Sequence, residues 1–305
     1  MSYRLLSYVG SAGAPRAGVL VDGKVHDLAA AVEASGKPAG FDAASTLAVV
    51  QAWDKAEAVV EAAAKQGAGK AMPLAEVKLT APLLYPTNIF CAAANYQDHF
   101  REMLGRDIDK SSVNPYFFLK VARQTVIGPG DQIRRPRVVA KLDWEAEIAV
   151  VIGRTARNIS VDRALDCVMG YTVINDLSAR DYIRRPDWPS LASDWLWQKS
   201  FDTSAPMGPW ITPKAEIADP QNLKLNTWVN GELEQDTHSK WMVFTVREQI
   251  AALSQHFTLL PGDVIATGTG SGVGHPKNKF LNPGDTVRIE IEGLGTLENP
   301  VVAGE

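Results

Sequence analysis

The amino-acid sequence predicts a β-rich α+β fold with a small α+β domain at its N-terminus. Short apolar runs bounded by Pro-Gly and Asn-Gly turns dominate the chain after about residue 76, as expected of many short strands. The stretch 43–67 is rich in alanine and has apolar residues near helical spacing. We therefore predict a small N-terminal domain over residues 1–75 and a larger β-rich domain over residues 76–305.

The composition indicates an ordinary globular protein. Of the 305 residues, 46% are hydrophobic and 22% are charged, which excludes a disordered chain. Lys and Arg number 31 against 35 Asp and Glu, so the net charge of −4 predicts no general attraction to nucleic acid or anionic membranes. No apolar segment has the length of a membrane span or a leader, which favours the cytoplasm. Cys91 and Cys167 stand in apolar surroundings typical of buried thiols, with a single disulfide as the alternative.

The first domain is predicted to contain a β-hairpin followed by a helix. Residues 17–26 surround Asp22-Gly23, a pair that suits the tight type I′ turn of a hairpin. The alanine-rich stretch 43–67 forms the helix, and the glycine-containing residues 66–70 are predicted to end it.

The second domain is predicted to be mostly β-strand. Asn230-Gly231 marks a hairpin, and residues 287–291 alternate polar and apolar side chains as a strand with one buried face does. Pro-Gly-Asp recurs as a turn before a β-like run at 129–131, 261–263 and 283–285. These features favour a curled sheet or sandwich over alternating strands and helices.

Two acidic residues interrupt an apolar run that is predicted to be a buried strand. Glu145 and Glu147 lie two residues apart within 144–152, so a strand would place both carboxylates on one face. Their repulsion and desolvation would raise the pKa of at least one of them unless a cation lies between them. A bound metal ion would neutralise the two carboxylates, and it is the least costly way to bury them together.

Asp176 supplies a third carboxylate at the end of the next predicted strand, 170–174. Three carboxylates form a hard oxygen site suited to Mg²⁺, Mn²⁺ or Ca²⁺, and three protein ligands leave positions open for substrate. The alternative is a solvated sheet edge where these acids pair with Arg154 or Arg180. The spacing alone does not distinguish the metal site from the solvated sheet edge.

Two further segments carry residues with catalytic chemistry. If residues after Asn95 begin a helix, His99 and Glu102 lie one turn apart, and the carboxylate could orient the imidazole as a base. The alternative is an exposed ion pair. Lys199 lies among aromatic residues, where a partly buried ammonium could stabilise an enolate or carboxylate oxygen. The alternative is that the Lys199 side chain packs on an aromatic surface and extends its ammonium group into water.

The glycine-rich stretch 266–274 does not fit a nucleotide-binding loop. It lacks the Gly-Lys-Ser/Thr ending of a P-loop and the spacing of a dinucleotide loop, and no helical pattern follows it. Its backbone N–H groups could instead cradle a carboxylate.

Taken together, these segments resemble the fumarylacetoacetate hydrolase (FAH) family over about residues 82–302. The matching segments are, in chain order, Asn95-Tyr96-x-x-His99-x-x-Glu102, Asp143-Trp144-Glu145-Ala146-Glu147, Gly170-Tyr171-x-x-x-Asn175-Asp176-x-Ser178-Ala179-Arg180-Asp181, Lys199-Ser200-Phe201-Asp202-Thr203 and Thr267-Gly268-Thr269. Five segments in one order are far more specific than any one of them, and they favour the metal site over the solvated edge.

The resemblance implies a fold, a cofactor and a substrate class. It implies a mixed β-sandwich or β-roll catalytic domain, often in a homodimer, with Mg²⁺ or Mn²⁺ held by residues matching Glu145, Glu147 and Asp176, and with Ca²⁺ as a further option. Such enzymes act on 2-oxo acids that carry a second carbonyl. The residues that the resemblance assigns to the active site are His99, Glu102 and Lys199 for catalysis and Tyr96, Lys120, Arg180 and Thr269 for substrate contact.

We therefore expect hydrolysis of a carbon–carbon bond in a 2,4-dioxo acid, such as an acylpyruvate, to give pyruvate and a carboxylic acid. His99, oriented by Glu102, would activate the water, and the metal and Lys199 would stabilise the leaving enolate. A 2-oxo acid decarboxylase and a 2-hydroxydienoate isomerase or hydratase on the same site are alternatives. A non-catalytic β-protein stabilised by a metal is the second alternative.

Overall fold

The computed structural model describes residues 2–36, 38–67, 71–191 and 193–305. Its strands β1 to β19 are, in order, Arg4–Val9, Pro15–Val21, Lys24–Asp27, Met72–Pro73, Leu79–Thr80, Ile89–Ala93, Tyr116–Lys120, Val126–Ile127, Ile133–Arg135, Leu142–Asp143, Ala146–Ile152, Val168–Asn175, Ser178–Ala179, Ala205–Pro213, Lys224–Val229, Glu232–His238, Val264–Ala266, Thr286–Ile291 and Gly295–Ala303. Its α-helices α1 to α7 are Leu28–Ala34, Thr46–Gln51, Trp53–Gln66, Gln97–Leu104, Ala122–Thr125, Trp195–Lys199 and Val246–His256.

These strands form two larger sheets and one separate pair of short strands. The large sheet has the order β4-β3-β2-β1-β14-β12-β11-β17-β6-β7, with β5 on β1 and β8 on β14. The second sheet has five strands in the order β16-β15-β18-β19-β9, and β10 pairs with β13. β1 pairs with β14 through Leu5 and Ile211, so the N-terminal strands continue the large sheet. The division into domains at residue 75 stays a prediction.

The large sheet lies between two hydrophobic layers. On one side α1, α2 and α3 pack against it, and on the other side lies the five-stranded sheet. β11 lies in the middle: Ile148 and Val150 face the second sheet, whereas Ala149 and Val151 face the helices. Because both faces are covered, every residue of β11 and β12 is buried. This arrangement confirms the predicted β-rich α+β fold, and it holds the chain around Glu147 rigidly in the interior.

Most predicted elements are present, with one difference in the first domain. The predicted hairpin is formed by β2 and β3, and the three Pro-Gly-Asp turns precede β9, β17 and β18. The helix predicted over 43–67 is two helices, α2 and α3, because Ala52 leaves helical geometry at φ −102° and ψ 20°. No Pro or Gly marks this break. α3 ends at Gln66 with Gly67 in the left-handed region, and residues 68–70 lie outside the described part.

Two further expectations concern the cysteines and the membrane. Cys91 and Cys167 are both free and buried, as predicted. Among the described residues, no helix combines the length and the apolar character that a membrane crossing requires.

Candidate metal centre and active site

The two central strands bring three carboxylates together. β11 starts directly after Glu145, and its antiparallel neighbour β12 ends directly before Asp176, whose N–H donates to the Glu145 carbonyl at 2.9 Å. Glu147 follows on β11. One carboxylate oxygen from each of the three residues lies within 4.8 Å of the others, and the residues are 5%, 1% and 1% exposed. The solvated sheet edge is therefore excluded, although Arg180 does contact Glu145, as that alternative proposed.

Three buried cations hold two of these carboxylates in place. The Nζ atom of Lys199 donates to Glu145 at 2.6 Å and to Asp176 at 2.8 Å. Lys120 donates to the other oxygen of Asp176 at 2.6 Å, and Arg180 donates to the other oxygen of Glu145 at 2.6 Å. Burial opposes ionisation of Glu145, but the charges of Lys199 and Arg180 outweigh it and lower its pKa to about 2. For Lys199, burial lowers the pKa, but the charges of Asp176 and Glu145 raise it above its ordinary value.

Of the three carboxylates, Glu147 is the one that no cation within the described residues contacts directly. It accepts a hydrogen bond from the N–H of Gly268 at 2.7 Å. Burial, together with the charges of Asp176 and Glu145, raises its pKa well above the ordinary range. A dication between the three carboxylates would neutralise this uncompensated charge. Three buried, ionisable oxygen donors with one unpaired charge fit a hard divalent ion, and Glu145, Glu147 and Asp176 form a divalent metal site.

Asp143 belongs to the same charged cluster, although the sequence did not indicate it as a site residue. It is fully buried, accepts from Arg180 Nε at 2.8 Å and accepts from the N–H groups of Gly274 and His275 at 2.7 and 3.1 Å. Asp143 thereby fixes the guanidinium that contacts Glu145. The one available signal was its position immediately before the Trp-Glu-Ala-Glu motif.

The glycine-rich loop binds carboxylates, and all of them belong to the protein itself. Besides Glu147 and Asp143, its N–H groups reach Asp98 and Glu102: Ser271 donates to Asp98 at 3.3 Å, and Gly272 donates to Glu102 at 3.0 Å. Glycine is required at 272, where φ is +98° and a Cβ atom would come within 2.2 Å of the Glu234 carbonyl. The loop therefore joins the metal site to α4.

α4 carries the predicted histidine and glutamate on one face. His99 Nδ1 lies 3.5 Å from a Glu102 carboxylate oxygen, and within the described residues this nitrogen has no hydrogen-bond partner. Glu102 is itself anchored by Gly272 at 3.0 Å. The two side chains are 12% and 20% exposed, so the pair is largely enclosed and is not an exposed ion pair.

A cavity of about 530 Å³ connects α4 with the metal site. Its polar lining consists of His99, Glu145, Glu147, Arg180, Ser193, Gln198, Lys199 and Thr269. Its larger apolar side chains are Phe100, Met103, Leu104, Tyr116, Phe118, Ile183 and Trp195. The cavity thus combines ionic groups for an acidic head with an aromatic and aliphatic wall, as small-molecule sites do.

The predicted substrate contacts occupy different environments. Arg180 and Thr269 line the cavity, and the Thr269 hydroxyl donates to the Ala146 carbonyl at 2.9 Å. Lys120 is buried against Asp176. Tyr96 is fully buried in the hydrophobic core and is not among the residues that line the cavity; burial and, after it, the charge of Glu147 raise the pKa of its hydroxyl. The roles of all four residues in substrate binding stay predictions.

A metal site that adjoins a cavity lined by a histidine and a lysine defines a metal-dependent enzyme. Residues 88–302 match the family described as "Fumarylacetoacetate (FAA) hydrolase C-terminal", and the chain belongs to this family. The resemblance predicted from the sequence is thus confirmed.

Characterised relatives share much of the chain. Human mitochondrial oxaloacetate tautomerase FAHD2B is 38% identical over 266 residues, 86% of this chain and 82% of that protein. Oxaloacetate tautomerase YisK of Bacillus subtilis is 44% identical over 232 residues, which are 75% of this chain and 74% of that protein.

Solved structures match almost the whole chain. A maleylpyruvate hydrolase from Sphingobium sp. SYK-6, in complex with manganese(II) and pyruvate, has a TM-score of 0.78 at 29% identity and covers 99% of this chain and 100% of its own. A fumarylacetoacetate hydrolase from Exiguobacterium antarcticum has a TM-score of 0.81 at 32% identity, with coverage of 99% and 100%. The FAH-type fold therefore extends over the N-terminal segment as well.

Proposed function

We propose that the protein is a metal-dependent 2-oxo acid tautomerase that interconverts the keto and enol forms of oxaloacetate. The observation that carries this proposal is the cavity whose lining includes His99 and two of the three metal-site carboxylates, Glu145 and Glu147. The relatives named oxaloacetate tautomerases, at 38% and 44% identity, support this reaction over the hydrolysis expected from the sequence.

Tautomerisation requires a proton to leave C3 and another to reach the oxygen on C2. When bound, the divalent ion would supply Lewis-acid polarisation of the 2-oxo acid, and Mn²⁺ or Mg²⁺ suits the three carboxylates. His99 would accept the C3 proton, the C3–H electron pair would form the C2–C3 double bond, and the C2–O π pair would move onto the oxygen, which would take its proton from water. Glu102, 3.5 Å from His99 Nδ1, would orient the imidazole, which would return the proton to C3 in the opposite direction. Lys199 and Arg180 place positive charge beside the developing oxyanion.

The test is to follow the decay of enol-oxaloacetate absorbance with the Mg²⁺- or Mn²⁺-loaded protein. We expect catalysis that a chelator abolishes and that His99→Ala slows by about a hundredfold or more, the usual contribution of a general base. The variant should retain the stabilisation that Mn²⁺ gives the wild type. Full activity of His99→Ala would exclude the imidazole as the base, and inactivity of the loaded wild type would exclude tautomerisation.

Hydrolysis of a 2,4-dioxo acid is the second candidate. It is favoured by the Glu102 carboxylate beside His99, an arrangement that can activate water, and by the likeness to a maleylpyruvate hydrolase. Incubation with acylpyruvates and product analysis separates the two reactions, because only hydrolysis releases pyruvate. Release of CO₂ would indicate the decarboxylase alternative instead. A homodimer and a cytoplasmic location remain predictions.

A further inference from the structure

Gln235 is a buried side chain that hydrogen-bonds in four directions at once. It lies on β16 of the five-stranded sheet and is 0% exposed. Its Oε1 accepts from the N–H of Ala146 at 3.1 Å and from the Thr227 hydroxyl at 2.8 Å. Its Nε2 donates to the Thr269 hydroxyl oxygen at 3.0 Å and to the Gly270 carbonyl at 3.1 Å. The side chain therefore joins the second sheet to β11 and to the glycine-rich loop.

Two backbone groups fix the orientation of this amide. The N–H of Ala146 can only donate and the carbonyl of Gly270 can only accept. Exchange of the amide oxygen and nitrogen would therefore place two donors, and two acceptors, against each other. The nitrogen of Gln235 is thus the group that faces Thr269, and it can only donate.

The direction of the Thr269 hydroxyl proton follows from these contacts. Its Oγ1 accepts from Gln235 and lies 2.9 Å from the Ala146 carbonyl, which can only accept a hydrogen bond. The single hydroxyl proton is therefore committed to Ala146, and one lone pair of Oγ1 remains. Because Thr269 lines the cavity, a ligand group that reaches this oxygen has to donate to it.

The contact with Ala146 places this acceptor beside the metal site. Ala146 stands between Glu145 and Glu147 in the sequence, and its carbonyl holds the Thr269 hydroxyl. The proposed function, on which this inference rests, puts the head of a 2-oxo acid at this site. The carboxylate and keto oxygens of such a head can only accept hydrogen bonds, whereas an enol hydroxyl can donate one.

We infer that Gln235 is a positioning residue that, through the Thr269 hydroxyl, makes the site favour the enol hydroxyl over the keto oxygen on C2. Gln235 does not itself line the cavity, so it acts on the substrate only through its neighbour. Without the amide, the Thr269 proton could turn from Ala146 towards a keto oxygen. With the amide in place, Thr269 offers a lone pair to the cavity.

The test compares two small anions that differ in the proton on the C2 oxygen. Glycolate carries a hydroxyl there, and pyruvate carries a keto oxygen. Calorimetry on the Mn²⁺-loaded protein measures both dissociation constants for the wild type, Thr269→Val, Gln235→Leu and the double variant. We expect Thr269→Val to weaken glycolate binding about fivefold, as loss of one hydrogen bond does, and not to weaken pyruvate binding.

Gln235→Leu should shift the ratio of the two constants towards pyruvate, because the freed hydroxyl can then donate to the keto oxygen. In the Thr269→Val background the same change should leave the ratio unaltered, since no hydroxyl is left to orient. A purely structural role would weaken both anions together and would not move the ratio. The controls Gln255→Leu and Thr258→Val, at exposed positions outside the cavity lining, should alter neither constant.

Gln235→Leu leaves the Ala146 N–H and the Gly270 carbonyl without this partner, so a measurement on the unaltered protein covers a loss of folding. Neutron diffraction from crystals of the deuterated wild type should show the Thr269 deuteron directed at the Ala146 carbonyl. A deuteron directed into the cavity, or a ratio that Thr269→Val does not change, overturns the inference while the proposed function stands. If the Mn²⁺-loaded wild type binds neither anion, the proposed function fails and the inference fails with it.

Discussion

Lys199 shows how a single side chain substitutes for part of a metal ion's charge. Its ammonium lies between Glu145 and Asp176, at 2.6 and 2.8 Å, in a region shielded from water. Without it, Glu145 and Asp176 would keep Arg180 and Lys120 as partners but would lose the positive charge that lies between them. We therefore expect the stability of the metal-free protein to depend strongly on this lysine.

Lys199→Met should lower the free energy of unfolding by about 3 kcal/mol in a chelator, the lower end of the usual cost of breaking a buried ion pair, because Arg180 and Lys120 still pair with the two carboxylates. Mg²⁺ or Mn²⁺ should restore more stability to the variant than to the wild type, since the ion supplies the lost charge. Denaturant titrations with and without metal measure both effects. The exposed Lys55 on α3 provides the control Lys55→Met, and a loss of equal size there would contradict the explanation.

Glu147→Gln should separate metal binding from folding. The amide keeps the shape of the side chain and removes the one carboxylate that lacks a cation, so the metal-free variant should be as stable as the wild type or more so. A saturating ion should raise the melting temperature of the wild type, by linkage worth about 2.7 kcal/mol at a hundredfold excess over Kd, but not that of the variant. An unchanged shift with metal in Glu147→Gln would remove this residue from the ligand set.

At the scale of single residues, the sequence was informative where one short motif contains metal ligands. Glu145 and Glu147 are two residues apart, so their convergence follows from strand geometry alone. Asp143 could not be identified in this way. Its partners Arg180 and Gly274 lie more than thirty positions away in the sequence, so only the folded structure brings them together.

Among the elements, α4 depends on polar contacts for its position. None of its residues is fully buried, but Asp98 accepts from Thr237 and Ser271 side chains at 2.6 and 3.0 Å. Asp98→Ala should therefore loosen α4, lower kcat by about tenfold through misplacement of His99, and leave the metal-induced shift in melting temperature intact. Faster amide hydrogen exchange confined to α4 would accompany the loss. Unchanged exchange with reduced kcat would point to a direct role of Asp98 in chemistry.

α1 depends on a charged cap, which gives stability a pH dependence. Asp27 accepts from the N–H of Ala30 at 2.9 Å, from Arg16 at 2.8 Å and from the Tyr8 hydroxyl at 2.6 Å. Burial raises the pKa of this carboxyl, but its bonds to Arg16 and Tyr8 outweigh burial and lower it to about 2. A lowered pKa stabilises the fold above the unfolded value near 3.9, and this contribution is lost as the pH falls towards 2.

Asp27→Asn should consequently be less stable than the wild type at pH 5 by about 1 kcal/mol, a value reduced because Arg16 is 39% exposed and screened by water. The difference between the two proteins should shrink between pH 4 and pH 2. Urea titrations at several pH values measure it. A difference that is constant across this range would mean that the charge of Asp27 does not contribute.

Turn-forming residues in the sequence predicted the boundaries of strands and helices more reliably than helical periodicity did. The Asp22-Gly23 turn was predictable because few dipeptides accept its geometry, and both residues have positive φ. The break between α2 and α3 at Ala52 was not predictable, since alanine is a strong helix former and nothing in its residue type favours the non-helical angles that it adopts.

For the whole molecule, the pairing of β1 with β14 joins the N-terminal strands to the sheet that carries the metal site. Arg154 adds a link by donating to Asp54 on α3 at 2.7 Å. We expect a single cooperative thermal transition by calorimetry, and poor solubility of a chain that starts at residue 76, because its sheet edge and a hydrophobic face would be exposed. Two separate transitions would support the division into two domains.

The charged cluster beneath the cavity has a consequence for the order of events during turnover. Asp143, Glu145, Glu147 and Asp176 face the cations Lys120, Lys199 and Arg180, so with Glu147 ionised four negative groups meet three positive ones and one negative charge remains. A bound dication would change this net charge from −1 to +1. We therefore expect an anionic substrate to bind the metal-loaded pocket more tightly than the empty one, which favours binding of the ion before the substrate.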